Sequence, residues 1–128
     1  MKHKTFAKTA TLFTASALCL ALSAPAYADS SNKVGFKKRV NLQVGQAMVF
    51  HGLRGECGKL PGKGQMQKSL DKYNAALTTG RLQYGKAGVR NSGSCNGNTP
   101  VMETLFVATT PGRERMDIYG DSVLFIVK

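Results

Sequence analysis

Apolar and polar residues alternate along several short segments of the chain, as expected for β-strands buried on one face. From Arg113 to Tyr119 the alternation is strict, and it places Glu114, Met116 and Ile118 on one face and mainly charged side chains on the other. Residues that favour turns separate the segments. The pattern predicts strands at 40–44, 47–53, 101–109, 113–119 and 123–127.

Short strands at regular spacing favour an all-β fold, here a small antiparallel sandwich or barrel. The turns between them are predicted at Gly45-Gln46, Pro111-Gly112 and Gly120-Asp121. We expect the core to contain the inward residues of the strands: Val40, Leu42, Val49, Leu105, Val107, Met116, Ile118, Phe125 and Val127.

The segment 52–97 has a different character, because it holds ten of the fourteen glycines and eight basic residues against two acidic ones. Such a composition predicts a long Gly-rich loop region. Within it, Leu70, Tyr73 and Leu77 have helical spacing, and Ser69 is a plausible cap, so a short helix is predicted at 69–77. Alternation also predicts a short strand at 81–84.

Two parts of the pattern resemble a known class of proteins. Val44-Gly45-Gln46 lies between two strands, and the segment 106–112 reads F-x-A-x-x-P-G. These features resemble secreted bacterial immunoglobulin-like domains, and loosely the chagasin-type inhibitors of cysteine proteases. The resemblance implies an immunoglobulin-like sandwich. The N-P-T-T-G and R-P-W segments through which those inhibitors enter a protease cleft do not occur in this sequence.

The start of the chain predicts export. Lys2, Lys4 and Lys8 precede an apolar run, and the small-x-small site 26–28 follows it, so residues 1–28 form a predicted signal peptide. A basic N-terminal arm at 29–39 and a single domain at 40–128 then follow. We expect the protein to be periplasmic or secreted, and without a transmembrane segment after cleavage.

Export changes how the cysteines are interpreted. After removal of the leader only Cys57 and Cys95 remain, and in an oxidising compartment they predict one disulfide. A reactive thiol pair is the alternative, but the wide spacing and the lack of a C-x-x-C motif disfavour it. So few cysteines and histidines also exclude a multi-ligand metal centre or an iron–sulfur cluster, and no cofactor or metal is expected.

Net charge is the most informative functional feature. The whole chain carries +11, and residues 29–128 carry +8 because three lysines belong to the leader. A local positive field attracts polyanions. We therefore predict a non-catalytic binding module whose partner is an acidic polysaccharide, lipopolysaccharide, nucleic acid or a protein. The predicted contact residues are Lys59, Lys63, Lys68, Lys72, Arg81, Lys86 and Arg90, with Tyr73 and Tyr84 available for stacking on rings.

Other functions remain open at this point. A secreted inhibitor or effector that docks a loop, such as Pro61-Gly62, into a target enzyme is the main alternative. An enzyme comes third: His51 is a candidate general base or ligand, although a histidine in an apolar strand is more often packed. Glu103 and Glu114 could form a carboxylate pair across the Pro111-Gly112 turn, but surface pairing is the simpler interpretation.

Overall fold

A computed structural model of the chain describes residues 29–128, and the predicted signal peptide at 1–28 lies outside these residues. Six strands, one α-helix and one short 3-10 turn at Gly93–Cys95 follow one another along this part of the chain. In order, the elements are β1 (Arg39–Leu42), β2 (Ala47–Arg54), α1 (Lys63–Ala76), β3 (Gly80–Ser92), β4 (Gly97–Ala108), β5 (Gly112–Ile118) and β6 (Asp121–Val127).

The strands form two three-stranded sheets, and the predicted all-β fold class is confirmed. One sheet has the order β2-β4-β3 with antiparallel pairs, and the other has the order β1-β6-β5. The β5–β6 pair is antiparallel, whereas β1 runs parallel to β6. The arrangement is a small sandwich and not a closed barrel. The finer resemblance to immunoglobulin-like domains stays a prediction.

One apolar core lies between the two sheets. Phe106 of β4 stacks on Phe125 of β6 with ring centroids 4.3 Å apart, and Phe50 of β2 meets Phe125 edge-on at 5.3 Å. The helix covers part of the core through Tyr73, its one buried residue. The core therefore joins both sheets and α1, which fixes the relative positions of the side chains described below.

Of the predicted core residues, Val40, Leu42, Ile118, Phe125 and Val127 are buried, and Met116 packs against them half-buried. The prediction was wrong for three others, which are half-buried and lie outside the core cluster: Val49 in β2, and Leu105 and Val107 in β4. Their neighbours in the chain, Phe50, Phe106 and Ala108, fill the core instead. Apolar residues occur on both faces of β2 and β4, so the alternation could not define which face points inward.

The segment 52–97 contains much more regular structure than its glycine content predicted. The helix exists but begins at Lys63, six residues before the expected start, and the expected short strand extends from Gly80 to Ser92. Glycine is needed at two positions of this strand, because a larger side chain at either one would collide with a neighbouring part of the fold. A Cβ on Gly88 would clash with Asn32, and one on Gly80 would overlap the ring of Phe106.

The Pro111-Gly112 turn does not close a hairpin between β4 and β5, contrary to the prediction. These strands belong to different sheets, and the connection carries the chain from one to the other. The carbonyl of Thr79 accepts hydrogen bonds from both Thr109 and Thr110, which holds the connection against the start of β3. Gly112 has a φ of +155°, at the edge of the region that favours glycine.

Candidate functional site

A polar cavity of about 440 Å³ opens between β2, β3, the first half of α1 and the β5–β6 turn. Because two arginines line it, we call it the arginine cavity. A volume of this size is typical of sites for small ligands or for one unit of a polymer. Its lining residues are His51, Gly52, Leu53, Arg54, Gln65, Ser69, Arg90, Ser92, Ser94, Tyr119 and Asp121.

The disulfide positions the first arginine. Cys57 and Cys95 are bonded, as predicted, and this bond ties the segment after β2 to the turn after β3. Arg54, the last residue of β2, therefore lies beside that turn. Its Nη1 atom, which carries two hydrogens, lies within hydrogen-bonding distance of three acceptors: Ser92 Oγ at 2.8 Å, Ser94 Oγ, and Cys95 Sγ at 3.0 Å. All three acceptors are neutral, so they orient the guanidinium group without neutralising its charge.

The second arginine lies beside a buried histidine. Arg90 of β3 places its Nη1 atom 3.3 Å from the carbonyl oxygen of Gly52 and 3.3 Å from Nδ1 of His51. On the other side of the imidazole, Nε2 lies 2.8 Å from Oδ2 of Asp121. His51 thus separates a guanidinium group from a carboxylate. It also links the two sheets, since β2 and β6 belong to different ones.

The shorter contacts favour one neutral tautomer of His51. Nδ1 lies 2.8 Å from the backbone N of Gly52 and 3.2 Å from the Gly52 carbonyl oxygen, so we assign Nδ1 as the acceptor from the Gly52 N–H and Nε2 as the donor to Asp121. Burial of the ring, which is 1% exposed, lowers its pKa below the usual 6.5, and Arg90 lowers it further against the opposing effect of Asp121. Both nitrogens are occupied by the protein, so this imidazole has no free position to take a proton from a substrate.

A tight turn brings Tyr119 and Asp121 into the cavity. Tyr119 and Gly120 have φ angles of +54° and +88°, and they connect β5 to β6 as a two-residue hairpin turn. A positive φ is uncommon for an aromatic residue. Here Tyr73 Oη accepts the backbone N–H of Tyr119 at 3.0 Å, and the Tyr119 ring meets His51 edge-on at 5.1 Å. These contacts hold the turn and aim Asp121 at the imidazole.

Neither arginine of the cavity is paired with a carboxylate among residues 29–128. The ion pairs within that range are His51–Asp121 and Lys59–Glu56. Within the same range, the Nε and Nη2 atoms of Arg54 and Arg90 also have no hydrogen-bond partner. Arginine donors that are oriented and unused form a suitable site for a carboxylate, sulfate or phosphate group.

The structure brings only one predicted contact residue, Arg90, into the cavity. The others are exposed and lie on three different parts of the fold. Lys59 belongs to the loop after β2, where its Nζ lies 3.6 Å from Glu56. Helix α1 carries Lys63, Lys68 and Lys72, and strand β3 carries Arg81 and Lys86.

Several other candidates are used inside the fold. Tyr73 is buried against Tyr119, so it offers no face for stacking on a ligand, contrary to the prediction. Glu114 accepts hydrogen bonds from Thr78 and Thr79, while Glu103 accepts from Asn32 and from the backbone of Lys86. The two carboxylates therefore do not form a pair.

The loop considered for docking into an enzyme is held against the fold. Pro61 is buried, and Gly62 directly precedes helix α1. Residues 29–128 contain no cluster of three or more His, Cys, Asp or Glu side chains suited to a metal ion.

Sequence reasoning missed Arg54, Ser92 and Ser94 as site residues and treated Asp121 only as part of a turn. For Arg54, Ser92 and Ser94 the sequence did contain a usable signal. The predicted Cys57–Cys95 bond requires the end of β2 to lie near residues 92–95, and Arg54 is three residues from Cys57. Nothing in the local sequence indicated that His51 would hold Asp121, because seventy residues separate them.

Comparisons with protein-family models, with curated proteins and with solved structures found no match. In the part of the chain that the structure describes, no helix is long and apolar enough to cross a membrane.

Proposed function

We propose that this protein is a non-catalytic binding protein of the periplasm or the extracellular space, and that its ligand places an anionic group in the arginine cavity. The observation that carries the proposal is the pair Arg54 and Arg90, whose charges have no carboxylate partner within residues 29–128. Arginine donors that are oriented by neutral acceptors and have no carboxylate partner suit an anionic ligand, which favours a role in binding.

The remaining charge supports the same partner. Residues 29–128 carry a net charge of +8, and the exposed lysines of α1 add to the field around the cavity. Such a field raises the rate of encounter with an acidic polymer, whereas the oriented arginines supply the specific contact. Acidic polysaccharides and lipopolysaccharide present such anionic groups outside the cytoplasm.

A binding role is also supported by the state of His51. Both ring nitrogens are engaged by Gly52 and Asp121, so the group best suited to proton transfer near neutral pH serves to orient its neighbours. The disulfide and the predicted signal peptide support an oxidising compartment.

The test is a titration of the mature protein with polygalacturonate, a carboxylated polysaccharide, at low and high salt. We expect Arg90→Gln to weaken binding by about tenfold or more, since charge-assisted hydrogen bonds contribute about 1.5–3 kcal/mol. Arg90→Lys keeps the charge but loses the planar fork, and we expect it to restore binding only in part.

Arg113→Gln is the matched control, because Arg113 is exposed on β5 and lies outside the cavity lining. It removes the same charge, so it should change binding only through the general field. Equal losses in the Arg90 and Arg113 variants would mean that summed surface charge, and not the cavity, binds the polymer. Absence of binding at low salt would contradict the proposed function.

A further inference from the structure

A negative charge faces the two arginines across the arginine cavity. Asp121 leaves 44% of its side chain exposed, and among residues 29–128 its only ionic partner is His51. That partner is the neutral tautomer, so the carboxylate is hydrogen-bonded at Oδ2 without being neutralised. The cavity therefore holds two guanidinium groups and one carboxylate as separate charges.

The imidazole keeps the opposite charges apart. Arg90 Nη1 lies 3.3 Å from one ring nitrogen, and Asp121 Oδ2 lies 2.8 Å from the other. The ring fills the direct line between these two atoms, so a ligand would reach Arg90 and Asp121 from the cavity that both residues line. The ring is held in this position because it is buried between Phe36 and Tyr119.

We infer that the arginine cavity binds an α-amino acid group as a zwitterion, with its carboxylate on Arg90 and its ammonium group on Asp121. This inference rests on the proposed function, since it names the ligand of the same cavity. An α-amino acid carries both charges on one short group, so it can offer a carboxylate to the guanidinium group and an ammonium group to the carboxylate that line this cavity.

A simple anion fits the same charges less well. A carboxylate bound to Arg90 would share the cavity with the carboxylate of Asp121, and like charges in one site repel. An ammonium group on the ligand turns this repulsion into a charge-assisted hydrogen bond. The cavity volume of about 440 Å³ leaves space beyond the charged groups for a side chain, and Gln65 and Ser69 of α1 make that space polar.

The test compares three probes of nearly equal size, followed by the NMR signals of the cavity residues. Alanine carries both charges, propionate lacks the amine, and ethylamine lacks the carboxylate. For the unmodified mature protein we expect alanine to bind about tenfold or more tightly than propionate, the gain that one charge-assisted hydrogen bond provides.

The decisive variant is Asp121→Asn. Its amide oxygen can still accept the proton of His51 Nε2, so the imidazole keeps its orientation while the negative charge is lost. We expect the preference for alanine over propionate to disappear, with propionate bound as well as or better than before. Asp117→Asn, on the exposed face of β5, is the matched control and should leave the preference unchanged.

The outcomes separate the two proposals. Equal binding of alanine and propionate, unaffected by Asp121→Asn, would overturn the zwitterion inference and leave the anionic site intact. No binding of alanine at any accessible concentration would also overturn it. If the unmodified protein bound neither propionate nor polygalacturonate, the proposed function itself would be contradicted. The L and D forms of alanine show in addition which configuration the space beside α1 accepts.

Discussion

Phe106 and Leu105 are neighbours in β4 that face opposite sides of the sheet, and truncating each one tests the placement of the core. Phe106 is fully buried, stacks on Phe125 and lies against the backbone of Gly80. Loss of a buried phenylalanine side chain costs about 3–5 kcal/mol. Because net stabilities of small domains are about 5–15 kcal/mol, Phe106→Ala should remove a large fraction of the free energy of unfolding.

Leu105 is the internal control. It is half-buried on the other face, beside Val49 of β2, so we expect Leu105→Ala to cost about 1 kcal/mol. The measurement is urea unfolding of the oxidised variants, followed by far-UV circular dichroism. At about 4–8 °C per kcal/mol for a domain of this size, the melting temperatures should also differ clearly. A larger loss for Leu105→Ala than for Phe106→Ala would refute the inward orientation of Phe106.

Three further predictions concern the disulfide, a hydrogen-bonded carboxylate and the histidine. Reduction of Cys57–Cys95 by a dithiol should lower the free energy of unfolding by about 2–4 kcal/mol, because the bond joins residues 38 apart in sequence; an unchanged melting temperature would contradict this. Burial alone would raise the pKa of Glu114, but hydrogen bonds led by Thr79 lower it below 4.5. The stabilisation by Glu114 is therefore present above pH 4.5 and lost as the pH falls through the lowered pKa, and Glu114→Gln should remove this part of the acid dependence of urea unfolding. The folded-state pKa of His51 is also lowered, so stability should begin to fall as the pH drops below 6.5, and nitrogen NMR well above that pH should show the single ring proton on Nε2; an imidazole that titrates at or above 6.5 would be inconsistent with the burial.

The sequence predicted the elements best where only one face of a strand is apolar. In β5 the alternation defined the inward face, and Ile118 is buried as expected while Arg113 and Arg115 are exposed. In β4 the run from Leu105 to Ala108 is apolar on both faces, so periodicity carried no information about orientation. Packing across the core, which is a property of the whole fold, decides which residues of β4 point inward.

The long β3 strand could not be predicted for a related reason. Gly85 and Gly88 weaken any local preference for a strand, and in isolation they favour a loop. In the folded protein β4 pairs with β3 along nearly its whole length, and the N-terminal arm approaches so closely at Gly88 that a side chain would not fit. The arm itself adds a hydrogen bond from Val34 to Val89. Tertiary contacts thus overrode the local composition.

The arginine cavity likewise combines a part that the sequence predicted with a part that only tertiary packing creates. The cysteines predicted the bond that positions Arg54, but the link between His51 and Asp121 exists only after the two sheets have packed. The basic residues named from the sequence gave the correct sign of the field, whereas the grouping of Arg90 with Arg54 required the pairing of β2 and β3 with the central strand β4.

Because the cavity forms only on folding, thermal stabilisation distinguishes a ligand of the cavity from a polymer that is attracted by charge alone. Unfolding leaves the net charge of +8 on residues 29–128, so an acidic polymer that responds only to charge binds the unfolded chain as well and stabilises the fold little. Arg90 and Asp121 belong to different sheets and meet only in the native state. A ligand that contacts both therefore binds the folded protein alone, and at a hundred times its Kd it should stabilise the fold by about 2.7 kcal/mol. Thermal shifts measured with alanine and with dextran sulfate, each at a matched multiple of its Kd, would then differ in favour of alanine.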